Sequence, residues 1–110
     1  MSESRIQFDS YMWYHNSFPH LRGLLCYNLN NSRNAIQAST DKGLGLQKGR
    51  SDMVLYYRGV ATMIEFKIES GKQSKEQIEW QSKIEAAGFK YHLVRSLEEF
   101  KKIIFSIILN

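Results

Sequence analysis

The chain has 110 residues, 15 Lys and Arg against 11 Asp and Glu, and one cysteine, Cys26. This length predicts one domain over residues 1–110, and a hydrophobic content of 43% excludes a disordered chain. One cysteine excludes an internal disulfide and a cysteine-rich zinc site, and no apolar run reaches the roughly 20 residues of a membrane helix. We therefore expect a soluble cytoplasmic protein, and the net charge of +4 suggests an anionic partner.

The N-terminal half is expected to contain a helix, a short strand and a long loop. Ser2 followed by Glu3 is typical of a helix start, and the aromatic residues that follow end before Pro19. Residues 24–27 are apolar and predict a strand. Residues 29–50 are polar, with three glycines, and predict a functional or mobile loop that can contain a short helical turn around residues 32–39.

Two capping boxes predict the helices of the C-terminal half. Ser74 with Gln77 predicts a helix that ends before Gly88, and Ser96 with Glu99 predicts a second helix running to the C-terminus. Residues 91–94 predict a strand between these helices. Together with a hairpin at residues 53–68, the order α-β-β-β-α-β-α predicts an α/β fold with a mixed central sheet flanked by helices.

The hairpin places charged residues at one end of an apolar pair of strands. Residues 53–57 and 60–68 are β-rich and flank Arg58-Gly59, which predicts a tight turn. In that register Asp52 faces Glu65, with Cβ atoms about 4.5–5.5 Å apart. Lys67 shares the face of Glu65 because side chains alternate along a strand. Two carboxylates this close repel each other unless a positive charge lies between them.

This set of charges predicts a metal-dependent hydrolytic site. Carboxylate oxygens bind hard divalent cations such as Mg²⁺, which activate water and orient a phosphodiester. Lys67 would then orient or deprotonate the water. The alternative is that Asp52 is a turn residue and that Glu65 and Lys67 form an ordinary solvated strand end, but a Glu between Ile64 and Phe66 argues against it.

The motif Gly-x-Ser-Asp, a hairpin and Glu-x-Lys resembles the core of PD-(D/E)xK nucleases. The wider pattern, which includes Gly71-Lys72-Gln73-Ser74 and Val94-Arg95-Ser96, is similar to a stand-alone virus-type replication–repair nuclease (VRR-NUC) domain of phage or bacterial type. The resemblance implies a restriction-endonuclease-like core and a Mg²⁺- or Mn²⁺-dependent endonuclease. Its substrate would be structured or branched DNA, such as a Holliday junction, in replication, recombination or repair. Ser51 stands in place of the motif proline, which carries no ligand.

The resemblance also implies roles for individual residues. The metal ligands would be Glu3, Asp52, Glu65 and the backbone carbonyl of Phe66. The catalytic residues would be Asp52, Glu65, Lys67 and Gln77. Gln77 has a simpler alternative, because the capping box by itself accounts for a glutamine at this position.

Basic residues beside glycines and beside the helix start at Ser74 predict the contact with nucleic acid, because glycine lets the backbone approach phosphates. The predicted contacts are Arg33, Lys42, Lys48, Arg50, Ser51, Lys72 and Lys75. The alternative for each of the basic residues is an ordinary solvated charge.

The C-terminal segment, residues 103–109, is apolar nearly all round. It predicts a homodimer interface, and the alternative is a helix packed fully within its own core. Two other functions also stay open at this point. One is a non-catalytic nucleic-acid-binding module of the same fold, and the other is an RNA-processing nuclease.

Overall fold

The structure is a computed structural model that describes residues 1–29 and 34–109. Its elements in chain order are α1 (Glu3–Ser17), a 3₁₀ turn (Pro19–Leu21), β1 (Leu25–Tyr27), α2 (Ala35–Gly43), β2 (Met53–Tyr57), β3 (Val60–Phe66), α3 (Lys75–Ala86), β4 (Lys90–Val94) and α4 (Leu97–Ile108). The mixed α/β order is as predicted, with α2 as an additional helix. None of the helices in the described ranges is both long enough and apolar enough to span a membrane.

The four strands form one mixed sheet in the order β1-β2-β3-β4. β1, β2 and β3 are antiparallel, whereas β4 runs parallel to β3. A parallel pair needs a crossover connection, and α3 provides it. The hairpin register is the predicted one: Tyr57 pairs with Val60 and Met53 with Ile64. Arg58 and Gly59 both have positive φ, as a type I′ turn requires.

The helices cover the two faces of the sheet unequally. On one face, α1 and α4 pack on β2 and β3 around a core that includes Tyr14, Leu55, Ile64 and Phe100. On the other face, Trp80 and Ile84 of α3 are among the residues that pack on the smaller cluster of Val54, Met63 and Tyr91. Glu65 and Lys67 follow Met63 on this second face, because side chains alternate along β3. The predicted charged residues therefore lie beside the smaller cluster.

The two predicted capping boxes have different outcomes. At α3, the Ser74 side chain accepts from the Gln77 N–H at 3.2 Å, and Gln77 Oε1 accepts from the Ser74 N–H at 2.8 Å, so this box is confirmed. At α4, Ser96 Oγ accepts from the Glu99 N–H at 3.1 Å. The Glu99 carboxylate, however, accepts from the Arg95 N–H at 2.8 Å. The prediction of a second capping box was therefore wrong in one of its two hydrogen bonds: the Glu99 side chain accepts from the N–H of Arg95 and not from that of Ser96.

The prediction of a loop over residues 29–50 was wrong in its extent. Asn34 caps α2 by accepting a hydrogen bond from the Gln37 N–H at 2.8 Å, and Gln37 Nε2 donates to Asp41 Oδ1 at 2.6 Å one turn later. An N-cap and an i,i+4 pair stabilise this helix, which contains the weak helix formers Ser39, Thr40, Asp41 and Gly43. Residues 30–33, which include part of the predicted helical turn, lie outside the described residues.

Helix α4 packs mainly within its own chain. Phe100 and Ile104 are fully buried, and Trp13 of α1 meets Phe100 and Phe105 edge-on, at centroid distances of 6.0 and 5.4 Å. Phe105 remains 43% exposed and Leu109 67% exposed. This packing agrees with the alternative of a core helix, and dimerisation through α4 stays a prediction.

Candidate metal centre

Asp52 is fixed at the end of the β2–β3 ladder, one residue before β2. Its Oδ2 accepts a hydrogen bond of 2.6 Å from the N–H of Phe66. Asn28 holds the backbone from the β1 side: its N–H donates to Asp52 O at 2.8 Å and its Nδ2 donates to Ser51 O at 3.2 Å. The regular ladder ends at Met53 and Ile64, so the Asp52 carboxylate continues the pairing in place of a backbone carbonyl.

Glu65 is the most deeply buried charged residue of the site, with 0% of its surface exposed. Its Oε1 accepts hydrogen bonds from the Tyr91 hydroxyl and from Gln73 Nε2, the latter at 3.2 Å. Within the described residues, its Oε2 has no hydrogen-bond partner. Burial, followed by the hydrogen bond to Glu65, raises the pKa of Tyr91 well above its usual range, so the hydroxyl keeps its proton and acts as a donor. The alternative of a solvated strand end was therefore wrong for Glu65.

Lys67 lies between two carboxylates and is only 9% exposed. Its Nζ is 3.8 Å from Glu65 Oε2 and 3.8 Å from Glu3 Oε1, which comes from the first turn of α1. The Lys67 N–H donates to Val94 O at 2.9 Å and so extends the parallel pairing with β4. The fold thus brings Glu3 of α1 next to Lys67 and Glu65, which lie more than 60 residues away in the sequence.

Burial and the neighbouring carboxylates destabilise the charged form of Asp52. Burial raises the pKa of Asp52, and the charges of Glu65 and Glu3 raise it further. The hydrogen bond from Phe66 and the charge of Lys67 act in the opposite direction. A cation at this position would relieve the repulsion. Glu65 Oε2, which is buried and accepts no hydrogen bond from the described residues, is an oxygen of the kind that hard divalent cations bind.

The donor chemistry of Asp52 and Glu65 therefore fits a divalent cation. As the side chains stand, the described part of the chain contains no group of three or more His, Cys, Asp or Glu residues that could hold a metal ion. The full ligand set of Glu3, Asp52, Glu65 and the Phe66 carbonyl accordingly stays a prediction.

Comparison with solved structures identifies the fold. A chain described as "VRR_NUC domain protein" superposes with a TM-score of 0.81 and 14% identity, over 99% of this chain and 89% of the other. The chain has the VRR-NUC fold. A second solved chain, described as "VRR_NUC domain", matches with a TM-score of 0.60 and 22% identity, over 93% and 92% of the two chains. No family model matches the sequence, and no curated protein matches it either.

The VRR-NUC fold confirms the predicted restriction-endonuclease-like architecture. Identities of 14% and 22% establish the fold alone. The function must therefore be argued from the geometry of the site.

Of two glutamines near the start of α3, the one that contacts Glu65 is not the one predicted from the sequence. The Gln77 side-chain oxygen accepts from the Ser74 N–H, which is the capping alternative, and its catalytic role stays a prediction. Gln73, which was not assigned a role from the sequence, donates to Glu65 instead. Tyr91 was missed as well. Its pairing with Met63 in the parallel register could have placed it beside Glu65, two residues further along β3.

Arg95 is a third residue without an assigned role, and it stabilises the turn after β3. Its Nη1 donates to the carbonyl oxygens of Ile68, Glu69 and Gly71 at 2.7, 3.1 and 2.8 Å. This turn connects Lys67 to Gln73. Arg95 therefore fixes the path of the chain between two residues that contact Glu65.

The predicted nucleic-acid contacts have mixed outcomes. Arg33 lies outside the described residues. Ser51 is fully buried and its hydroxyl donates to Met53 O at 3.0 Å, so its burial contradicts a surface contact. Gly49 packs directly on the first turn of α3, which brings neighbouring basic residues of the loop close to the basic residues of that helix start. Lys42, Lys48, Lys72 and Lys75 are exposed, and Arg50 is half-buried.

Replacing Gly49 by Ala should displace the loop from the start of α3. An added Cβ would lie 2.3 Å from the Glu76 carbonyl carbon and oxygen, and φ is +80°. We expect G49A to lower the free energy of unfolding by about 2–3 kcal/mol, as backbone strain combined with overpacking does. Gly59 provides a control, because its φ is +79° and a Cβ there meets nothing within 4 Å. In urea denaturation, G59A should lose only about 1 kcal/mol, and equal losses in the two variants would contradict the close packing.

Proposed function

We propose that this chain is a metal-dependent endonuclease that hydrolyses DNA phosphodiester bonds. Its cofactor would be Mg²⁺ or Mn²⁺, and its substrate structured or branched DNA in replication, recombination or repair. The observation that carries the proposal is the buried Glu65 carboxylate. One of its oxygens has no hydrogen-bond partner among the described residues, and a buried ammonium and a second carboxylate, that of Asp52, lie nearby.

A buried carboxylate of this kind lowers the stability of the fold, but it can serve hydrolysis. An ionised group that is buried without full hydrogen bonding costs several kcal/mol. Clusters of coupled, desolvated carboxylates are typical of functional sites for that reason. The VRR-NUC fold supports the same conclusion, because it is a fold of the nuclease family.

Each residue of the site would have a distinct role in hydrolysis. Asp52 and Glu65 would hold the divalent cation, with Glu3 and the Phe66 carbonyl as further ligands. A cation held there supplies Lewis-acid chemistry, activating water and neutralising charge on the phosphodiester. Lys67, whose Nζ faces Glu65 Oε2 at 3.8 Å, would orient the attacking water and stabilise negative charge that develops on the phosphate.

Exposed cations beside the site would bind the phosphate backbone. Lys48 precedes Gly49, whose backbone contacts the first turn of α3, and Lys72 and Lys75 flank the cap of that helix. Such contacts fix the position of a nucleic acid without reading its sequence.

Pairing of two copies through α4 would place two such sites against two strands. Light scattering at micromolar concentration tests this dimer, and a monomeric mass would contradict it.

A panel of nucleic acids tests the proposed activity. Single-stranded, duplex, flap, bubble and four-way-junction DNA are incubated with Mn²⁺, beside RNA of matched sequence, and the products are resolved on denaturing gels. We expect cleavage of at least one branched DNA and much slower cleavage of matched RNA. Faster cleavage of RNA would identify an RNA-processing nuclease instead.

A non-catalytic nucleic-acid-binding module is the second candidate. It is favoured by the position of Lys67 Nζ, which already lies near Glu3 and Glu65 and supplies the positive charge that they require. Binding of DNA without turnover on any substrate, together with no detectable Mn²⁺ binding, would establish this candidate and overturn the endonuclease.

A further inference from the structure

The two oxygens of the Glu65 carboxylate are treated differently by the fold. Oε1 accepts two hydrogen bonds, one from the Tyr91 hydroxyl and one from Gln73 Nε2. Oε2 accepts none from the described residues and lies 3.8 Å from Lys67 Nζ. Rotation about the terminal torsion of a glutamate is broad and roughly two-fold. A carboxylate that is held by one of its two oxygens loses most of this freedom.

The two donors are themselves held by elements that provide none of the predicted ligands. Tyr91 belongs to β4 and packs on Trp80 of α3, with ring centroids 6.1 Å apart. Gln73 Nε2 also donates to Gln81 Oε1 at 2.8 Å, and Gln81 Nε2 donates to Glu85 Oε1 at 3.3 Å. A chain of hydrogen bonds along α3 thus ends at Glu65 Oε1.

We propose that Tyr91 and Gln73 are positioning residues that hold Glu65 by Oε1, so that Oε2 is the oxygen available to a divalent cation. This inference rests on the proposed function. It assigns to Tyr91 of β4 and to Gln73, just before α3, the task of orienting a ligand that β3 carries. Mg²⁺ requires nearly ideal octahedral geometry, so an oxygen held in one place favours its binding.

Removing either donor should weaken metal binding without removing a ligand. Y91F deletes one hydroxyl, and Q73M replaces the amide by an apolar chain of similar length. Loss of a group that orients a ligand typically costs 10- to 100-fold in metal affinity. We expect the Kd for Mn²⁺, measured by calorimetry on the full chain without nucleic acid, to rise about 10-fold in each variant and more in the double variant.

Two matched variants remove similar hydrogen bonds elsewhere. Tyr14 OH donates to Leu21 O at 2.6 Å, and Gln37 Nε2 donates to Asp41 Oδ1 at 2.6 Å. Y14F and Q37M should lower the melting temperature about as much as Y91F and Q73M do, yet leave the Kd for Mn²⁺ unchanged. A purely structural role of Tyr91 would affect stability and not the affinity for the metal.

The outcomes separate this inference from the proposed function, with D52N as the reference for a site that has lost a ligand. If D52N loses Mn²⁺ binding while Y91F and Q73M bind as tightly as wild type, the positioning role is overturned and the metal site stands. If wild type and D52N bind Mn²⁺ equally weakly, both the metal site and the positioning role are overturned.

Discussion

Replacing Asp52 by Asn should abolish cleavage and leave the metal-free protein at least as stable as wild type at pH 7. Asn keeps an oxygen that can accept from the Phe66 N–H, but it carries no charge for a cation. Losing several kcal/mol of metal-assisted stabilisation corresponds to a rate at least about 1,000-fold lower. Cleavage of a branched DNA with Mn²⁺ measures this loss.

The effect on stability follows from the raised pKa of Asp52. When folding raises the pKa of a carboxyl, the protonated group contributes to the free energy of unfolding. This contribution is complete below the ordinary pKa of 3.8 and is lost as the pH rises through the pKa of the folded state. Ionised Asp52 therefore weakens the metal-free fold at neutral pH, and D52N removes that loss. The advantage of D52N in melting temperature should shrink as the pH is lowered towards 3.8.

Addition of metal should reverse the order of the melting temperatures of wild type and D52N. A ligand at 100 times its Kd stabilises the folded state by about 2.7 kcal/mol. Mn²⁺ should thus raise the melting temperature of wild type and have no effect on D52N. D9N is a matched control, because Asp9 pairs with Arg5 on α1, and it should cleave DNA and respond to Mn²⁺ as wild type does. Equal cleavage by D52N and wild type would overturn the assignment of the site.

Replacing Lys67 by Met should destabilise the fold as well as stop cleavage. Lys67 is the ammonium beside the fully buried Glu65, so its removal leaves a buried carboxylate without a compensating charge. Breaking a buried ion pair from one side typically costs about 3–5 kcal/mol. The hydrogen bonds from Tyr91 and Gln73 offset part of this cost, and we expect a loss of about 3 kcal/mol in urea denaturation.

A double-mutant cycle identifies the source of this loss. Because E65Q/K67M removes both charges, it should recover more than half of the stability that K67M loses, although it stays inactive. Lys101 and Glu98 form a comparison pair on α4 with nearly the same separation, 3.7 Å, but Glu98 is exposed and Lys101 is only half-buried. K101M should cost less than about 1 kcal/mol. If the double variant were no more stable than K67M, the charge of Glu65 would not be the cause.

The parts of the site that could be predicted from the sequence depend on local spacing. The Arg58-Gly59 turn determines the hairpin register, and the register brings Asp52 to the end of β3. The capping box at Ser74 likewise depends on four consecutive residues. In each case the interaction is close in the sequence, and a two-residue turn or one helical turn fixes its geometry.

The parts that were missed depend on contacts between distant segments. Tyr91 reaches Glu65 across 26 residues, through the parallel register of β3 and β4, which no local pattern determines. Arg95 similarly reaches the carbonyl of Ile68 across 27 residues. The prediction for Gln77 assumed that its side chain turns towards the site, whereas the hydrogen bond to the backbone of Ser74 holds it at the cap.

The type I′ turn determines where this chain can change length. Asp52 and Glu65 lie on opposite strands at matching distances from Arg58-Gly59, so lengthening the turn itself leaves both carboxylates in register. One residue added inside β3, between the turn and Glu65, would instead move Glu65 and Lys67 to the opposite face, against Phe100 and Tyr14. Natural variation in length should therefore accumulate at the tip of the hairpin, where an epitope tag or a fluorophore can also be inserted.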